Sequence, residues 1–135
     1  MKNKDAKLLN GLALAYIGDA IYELEIRRYL LEVGETKPKH LHRLATQYVS
    51  ARGQAKIIKY FQEKEILTEE ELSYFKRGRN SKINTKAKNT DIHRYLQSTG
   101  FEALMGYLYL TEQEERLEEL INQSIQHIDE QEGRK

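Results

Sequence analysis

The stretch Leu8-Leu9-Asn10-Gly11-Leu12-Ala13-Leu14-Ala15-Tyr16-Ile17-Gly18-Asp19-Ala20-Ile21-Tyr22 contains fifteen residues and a single charge, Asp19. Charged residues make up 32% of the 135-residue chain, so a window of this length would ordinarily hold roughly five. Apolar residues continue from it to Leu31 at spacings of three and four, the period of a helix on a core rather than the alternation of a strand. Gly11 and Gly18 interrupt the run and predict two helices, or one bent helix, between Lys7 and Leu31, with a close approach of a neighbouring helix.

A second stretch has the same character. From Tyr95 to Thr111, seventeen residues, Glu102 is the lone charge. An ionised carboxylate without a partner is costly in an apolar setting, so each of these two needs a cation, a set of donors or an open edge. Two arrangements satisfy that requirement. In one, the two helices lie side by side and both carboxylates share a divalent metal in a common cleft. In the other, Asp19 caps a helix and Glu102 pairs with an Arg or Lys. Periodicity alone leaves both open.

Between these stretches the pattern stays helical. Gly34 follows Leu31-Glu32-Val33 as a C-cap, and Pro38 opens a helix to about Gln47. Leu41, Leu44, Ala45, Tyr48, Ala51, Ala55, Ile57, Ile58 and Phe61 recur at helical spacing. Thr68-Glu69-Glu70-Glu71 reads as a capping box opening a short helix to about Arg77. Gly78 to Asn89 is polar, basic and without period, which predicts an exposed loop. Helices are predicted over Ile92–Leu110 and Gln113–Ile128, with Glu130 to Lys135 fraying. The expected fold class is all-α, with residues 1–135 forming one compact domain.

Composition narrows the chemistry. The chain has no cysteine, which removes disulfides, a thiolate nucleophile and cysteine-based zinc sites. His40, His42, His93 and His127 form no zinc pattern. Any metal must therefore be held by oxygen or imidazole. The first residues lack the apolar core of a signal peptide, and no run of about 18 uncharged apolar residues is present, so a cytoplasmic protein is expected. The net charge of +1 conceals a division along the chain. Residues 76–94 carry seven Lys+Arg against one acid, whereas residues 102–135 carry three against nine, so a polyanion could meet a basic face.

Leu12 to Ala20 resembles the signature helix of ribonuclease III, and Phe101-Glu102-Ala103-Leu104-Met105-Gly106-Tyr107-Leu108-Tyr109-Leu110 resembles its second catalytic helix. Leu9 to Ala20, Thr36-Lys37-Pro38, Val49-Ser50-Ala51 and Lys76-Arg77-Gly78-Arg79-Asn80 are similar to Mini-ribonuclease III, the branch without a double-stranded-RNA-binding domain. The resemblance implies a symmetric homodimer that hydrolyses double-stranded RNA with Mg²⁺, or Mn²⁺ in its place, held by Asp19 and Glu102. It implies 5′-phosphate and 3′-hydroxyl ends, and a precursor of large-subunit (23S) ribosomal RNA as substrate. A ribosomal-protein helper that presents the substrate is compatible with it.

The larger family has carboxylates where this chain has Ala15 and Thr99, and a glutamate at the position of Leu12. Mini-ribonuclease III members share the changes at Ala15 and Thr99, which implies a reduced two-carboxylate site and leaves the number of metals open. Tyr16 stands where the resemblance implies a residue inserted into the partner subunit. RNA contacts are expected at Lys76, Arg77, Arg79, Asn80, Lys82, Lys86 and Lys88, and at Lys37, Lys39, His40, Arg43 and Arg52, because A-form duplexes are read through phosphates and 2′-hydroxyls. Two rivals remain at this level. One is a catalytically silent RNA- or ribosome-binding protein, favoured by the missing carboxylates; the other is a helical scaffold, which explains the acidic C-terminal helix but not the lone carboxylates.

Overall fold

The computed structural model describes residues 1–81 and 89–134. Its elements in chain order are α1 (Asn3–Lys7), α2 (Gly11–Glu32), α3 (Pro38–Val49), α4 (Ala51–Glu63), α5 (Glu69–Arg79), α6 (Asn89–Leu110) and α7 (Glu114–Gln131), with no strand among the described residues. The all-α expectation holds.

Helix α6 is the hub, touching α1, α2, α4, α5 and α7. Phe101, Ala103, Leu104, Met105, Tyr107 and Leu108 are all buried, which explains why this stretch is apolar on every side. Each of the large side chains contributes on the order of 1.5–3 kcal/mol by leaving water. The most extensive packing is between α6 and α2, and two glycines make it possible. A Cβ on Gly18 would lie 1.7 Å from the carbonyl oxygen of Glu102, and a Cβ on Gly106 would lie 1.9 Å from the carbonyl oxygen of Leu14. The helices meet backbone to backbone at both positions.

Gly11 and Gly18 were expected to mark a close helix approach or a bend, giving two helices or one bent helix. A short α1 does end at Lys7, but α2 begins at Gly11 and runs through Gly18 unbroken, because Gly18 serves the contact with α6. Asn10 caps α2 by accepting from the amide of Ala13 at 2.8 Å. Gly34 has φ +95° just after α2, the left-handed conformation expected of a C-terminal cap.

Helix α3 starts at Pro38, as expected, and runs past Gln47 to Val49. Ser50 then ends it and caps α4 by accepting from Gly53 N at 3.1 Å. The capping box at Thr68 and Glu71 is present, and Arg116 of α7 donates to both oxygens of Glu71, each at 2.8 Å. Helix α5 extends to Arg79, so the predicted basic loop begins later than the glycine at 78 implied; Lys82, Lys86 and Lys88 lie outside the described residues.

The predicted fraying from Glu130 is also corrected. Helix α7 continues to Gln131, and Arg134 returns to Asp129 (3.3 Å) and to the Tyr48 hydroxyl (3.1 Å). Asp129 is buried and accepts from the hydroxyls of Tyr29 and Tyr48, tying α7 to α2 and α3. A buried acid with this many donors holds the tail down.

Because the α2–α6 contact leaves no room for a methyl group, Gly106→Ala should destabilise the fold by about 3 kcal/mol or more, measured by urea unfolding. The same change at Gly34, which has open space around it, should cost about 1 kcal/mol through backbone strain alone. Equal losses at the two sites would contradict the close-contact account.

Candidate active site

Asp19 follows Gly18 on α2, and Glu102 is the residue whose carbonyl faces Gly18 from α6. The same contact therefore brings the two lone carboxylates of the sequence together. Asp19 is exposed and Glu102 is partly buried, so the pair sits at an edge of the core that is open to solvent on the Asp19 side. Burial first, then the adjacent Asp19 carboxylate, pushes the Glu102 carboxyl up to about 8 from an ordinary 4.5. Glu23, one turn beyond Asp19, adds negative charge in the same direction.

Among the described residues neither Asp19 nor Glu102 has an ion-pair partner on a Lys or Arg. The structure thus departs from the arrangement in which Glu102 pairs with a chain cation. What Glu102 does have is a neutral donor, the Nε2 of Gln54 at 3.2 Å, which acts to lower its pKa against the stronger raising effects. Tyr22 lies nearby, fully buried, donating to the carbonyl of Tyr48 at 3.0 Å and edge-packed on Phe101 with ring centroids 4.8 Å apart.

Ala15 and Thr99, one turn before Asp19 and Glu102 on their helices, are both buried. The Thr99 hydroxyl donates to the carbonyl of Tyr95 at 2.9 Å within its own helix. No group of three or more His, Asp or Glu side chains with metal-binding geometry occurs among the described residues.

Sequence reasoning missed Gln54 and Glu23. Both left a signal. Gln54 falls at the 54, 57, 58, 61 spacing of the buried face of α4, where an apolar residue is expected, and it is fully buried. Glu23 is at i+4 from Asp19 and so shares its face.

The basic residues divide. Lys76 and Asn80 are exposed and Arg79 partly so, at the C-terminal end of α5. Arg77 has intramolecular work: its guanidinium donates to the carbonyls of Lys7 (2.6 Å) and Leu9 (2.9 Å) and stacks on Tyr74, fastening α1 and the start of α2 to α5. Lys37, Lys39, His40, Arg43 and Arg52 are all exposed on α3, α4 and the turn before them, with His40 3.9 Å from Glu35. Tyr16 is 84% exposed and stands on α2 beside exposed Leu12, Ala20 and Leu24, an apolar stripe at four-residue spacing.

A helical scaffold with one carboxylate on each of two closely crossed helices defines the class to which the comparisons point. Residues 12–113 match the family described as Ribonuclease III domain. The chain is 59% identical to Mini-ribonuclease 3 of Enterococcus faecalis over 94% of its own length and 96% of the relative's. It is 53% identical to Mini-ribonuclease 3 of Streptococcus pneumoniae, covering 93% and 98%. A crystal structure of a Fusobacterium nucleatum protein superposes with a TM-score of 0.75 at 36% identity, covering 87% of this chain and 93% of that one. The chain belongs to the ribonuclease III family, in its Mini-ribonuclease 3 branch. It is an endoribonuclease, and double-stranded RNA is the substrate of its class.

The raised Glu102 carboxyl has a consequence for stability. Between about 4.5 and about 8 the folded chain holds a proton there that the unfolded chain has lost, so stability falls as pH rises through that window. Thermal unfolding in EDTA should show Glu102→Gln gaining Tm relative to the wild type as pH rises from 5 to 8, and unfolding at a higher temperature than the wild type at pH 8. The same pH dependence of Tm in the wild type and in Glu102→Gln would contradict the assignment.

Proposed function

We propose that this protein is a Mg²⁺-dependent endoribonuclease that cuts double-stranded RNA precursors of the large-subunit (23S) ribosomal RNA in the cytoplasm, leaving 5′-phosphate and 3′-hydroxyl ends. The observation that carries the reading is the Asp19–Glu102 pair: two adjacent carboxylates, one held at the edge of the core, with no chain cation beside them among the described residues. Hard oxygen donors in this number suit Mg²⁺, or Mn²⁺ in its place, which takes one or two carboxylates and keeps several waters. When bound there, the ion supplies a polarising charge for a phosphodiester oxygen and for the attacking water.

The chain's own residues do the rest. Asp19 offers its carboxylate from the exposed side, where a phosphate can approach, while Glu102 is fixed from behind. Ala15 and Thr99 contribute no carboxylate, so additional ligand positions fall to water. Lys76, Arg79 and Asn80, and Lys82, Lys86 and Lys88 that follow in the sequence, would grip phosphates, as would Lys37, Lys39, His40, Arg43 and Arg52. Arg77 already holds two carbonyls of the chain, so a replacement there tests the fold before it tests RNA binding.

The stripe of Leu12, Tyr16, Ala20 and Leu24 fits an isologous contact with a second copy, Tyr16 entering the partner. Such a dimer would present two carboxylate pairs, one for each strand of the duplex. A ribosomal protein that presents the precursor completes the reading. No helix among the described residues is long and apolar enough to cross a membrane.

Asp19→Asn should keep the fold and duplex binding and lose cleavage of long double-stranded RNA by about a hundredfold or more, with EDTA on the wild type as the reference. Turnover near wild type in this variant would sink the assignment. Tyr16→Asp should leave the fold intact, since the side chain is 84% exposed, and shift the protein to monomer at micromolar concentration in sedimentation velocity. A dimer that persists would place the interface elsewhere.

A further inference from the structure

Gln54 is the most deeply placed polar side chain near the carboxylate pair, with no exposure at all. Both of its amide hydrogens are used: Nε2 donates to the carbonyl of Val49 at 3.1 Å and to Oε2 of Glu102 at 3.2 Å. Its Oε1 accepts from the Ser98 hydroxyl at 2.7 Å. These partners fix which way the amide faces. Turned over, its oxygen would confront the carbonyl of Val49 and the carboxyl of Glu102 from a fully buried position.

The partners also locate the side chain mechanically. Val49 is the last residue of α3, where helix carbonyls lack intrahelical partners, and the neighbouring carbonyl of Tyr48 is taken by Tyr22. Ser98 is one turn before Glu102 on α6. Gln54 therefore joins the α3–α4 corner to α6 at the carboxylate, and its hydrogen bond holds one oxygen of Glu102.

Charge explains why the residue is a glutamine. A Lys or Arg here would hold Glu102 equally well but would neutralise it, and an incoming cation would then compete with a built-in one. An apolar residue would leave the carboxylate free to turn. An amide donor orients the oxygen and leaves the site's negative charge unspent.

We propose that Gln54, oriented by Ser98, is the positioning residue of the metal site, holding Glu102 in the rotamer that shares a divalent cation with Asp19. The proposal rests on the metal-pair reading given above. Partners that orient a ligand in this way are worth about 10–100-fold in metal affinity or activity.

The test uses the full chain and Mn²⁺ alone, with binding read from the electron paramagnetic resonance signal of free Mn²⁺. Gln54→Met keeps the length and removes the donor; thermal unfolding checks that it folds. Its Mn²⁺ affinity should drop by about 10–100-fold, and kcat on one synthetic RNA duplex should drop with it while KM for the duplex stays within about twofold. Ser98→Ala, which removes the group orienting the amide, should show a smaller loss in the same direction. Wild-type Mn²⁺ affinity in a folded Gln54→Met protein overturns the proposal. If that variant does not fold, wild-type affinity in Ser98→Ala overturns it instead. Asp19→Asn separates the two layers. Lost Mn²⁺ binding in Asp19→Asn with full binding in Gln54→Met rejects the role of Gln54 alone, whereas full binding in Asp19→Asn rejects the metal pair and Gln54's role together.

Discussion

The backbone contact between α2 and α6 at Gly18 and Gly106 sets the position of everything around it. At each glycine a single methyl group would overlap a carbonyl oxygen of the facing helix, so the two helices lie as close as backbone atoms permit. Residues adjacent to such a contact have little freedom to move apart. Asp19 is the next residue after Gly18, and Glu102 supplies the carbonyl that Gly18 meets, so their side chains are forced into one neighbourhood whatever their charges prefer. The apolar character of both helices follows from the same packing, since α6 is covered on nearly all sides.

The treatment of other acids in the fold shows how unusual the pair is. Glu71 is buried, and although burial alone would raise its pKa, two hydrogen bonds from Arg116 and the cap at Thr68 bring it below the ordinary value. Asp129 is buried and has two tyrosine hydroxyls and Arg134. Where a carboxylate has a structural role here, the chain supplies a cation. Glu102 receives a neutral amide instead, and beside it stands another acid. A pair of acids at a solvent edge, with no chain cation beside it among the described residues, is the feature on which the proposed cation site rests.

Much of this was legible in the residues. The absence of charge around Asp19 and Glu102 marked both helices and both acids, the capping box marked α5, and Pro38 marked α3. Other features were hidden because they depend on contacts distant in sequence. Gly18 allowed either a bend or a close neighbour, since a glycine's signal does not distinguish the two, and it proved to be the close approach to α6. Arg77 looked like part of a basic patch, yet its guanidinium is aimed at carbonyls about seventy residues earlier in the chain. The tail looked free because Tyr29 and Tyr48, which receive it through Asp129, lie on helices far away in sequence. Gln54 was visible only as a polar residue on an apolar face, a signal that gains meaning once Glu102 is known to face it.

The central claim is that Asp19 and Glu102 together hold one divalent cation. Anomalous diffraction from crystals grown with Mn²⁺ tests it most directly. The account predicts a peak bridged by these two carboxylates, with waters completing the coordination. A well-ordered Mn²⁺ bound elsewhere, with the pair empty, would contradict it.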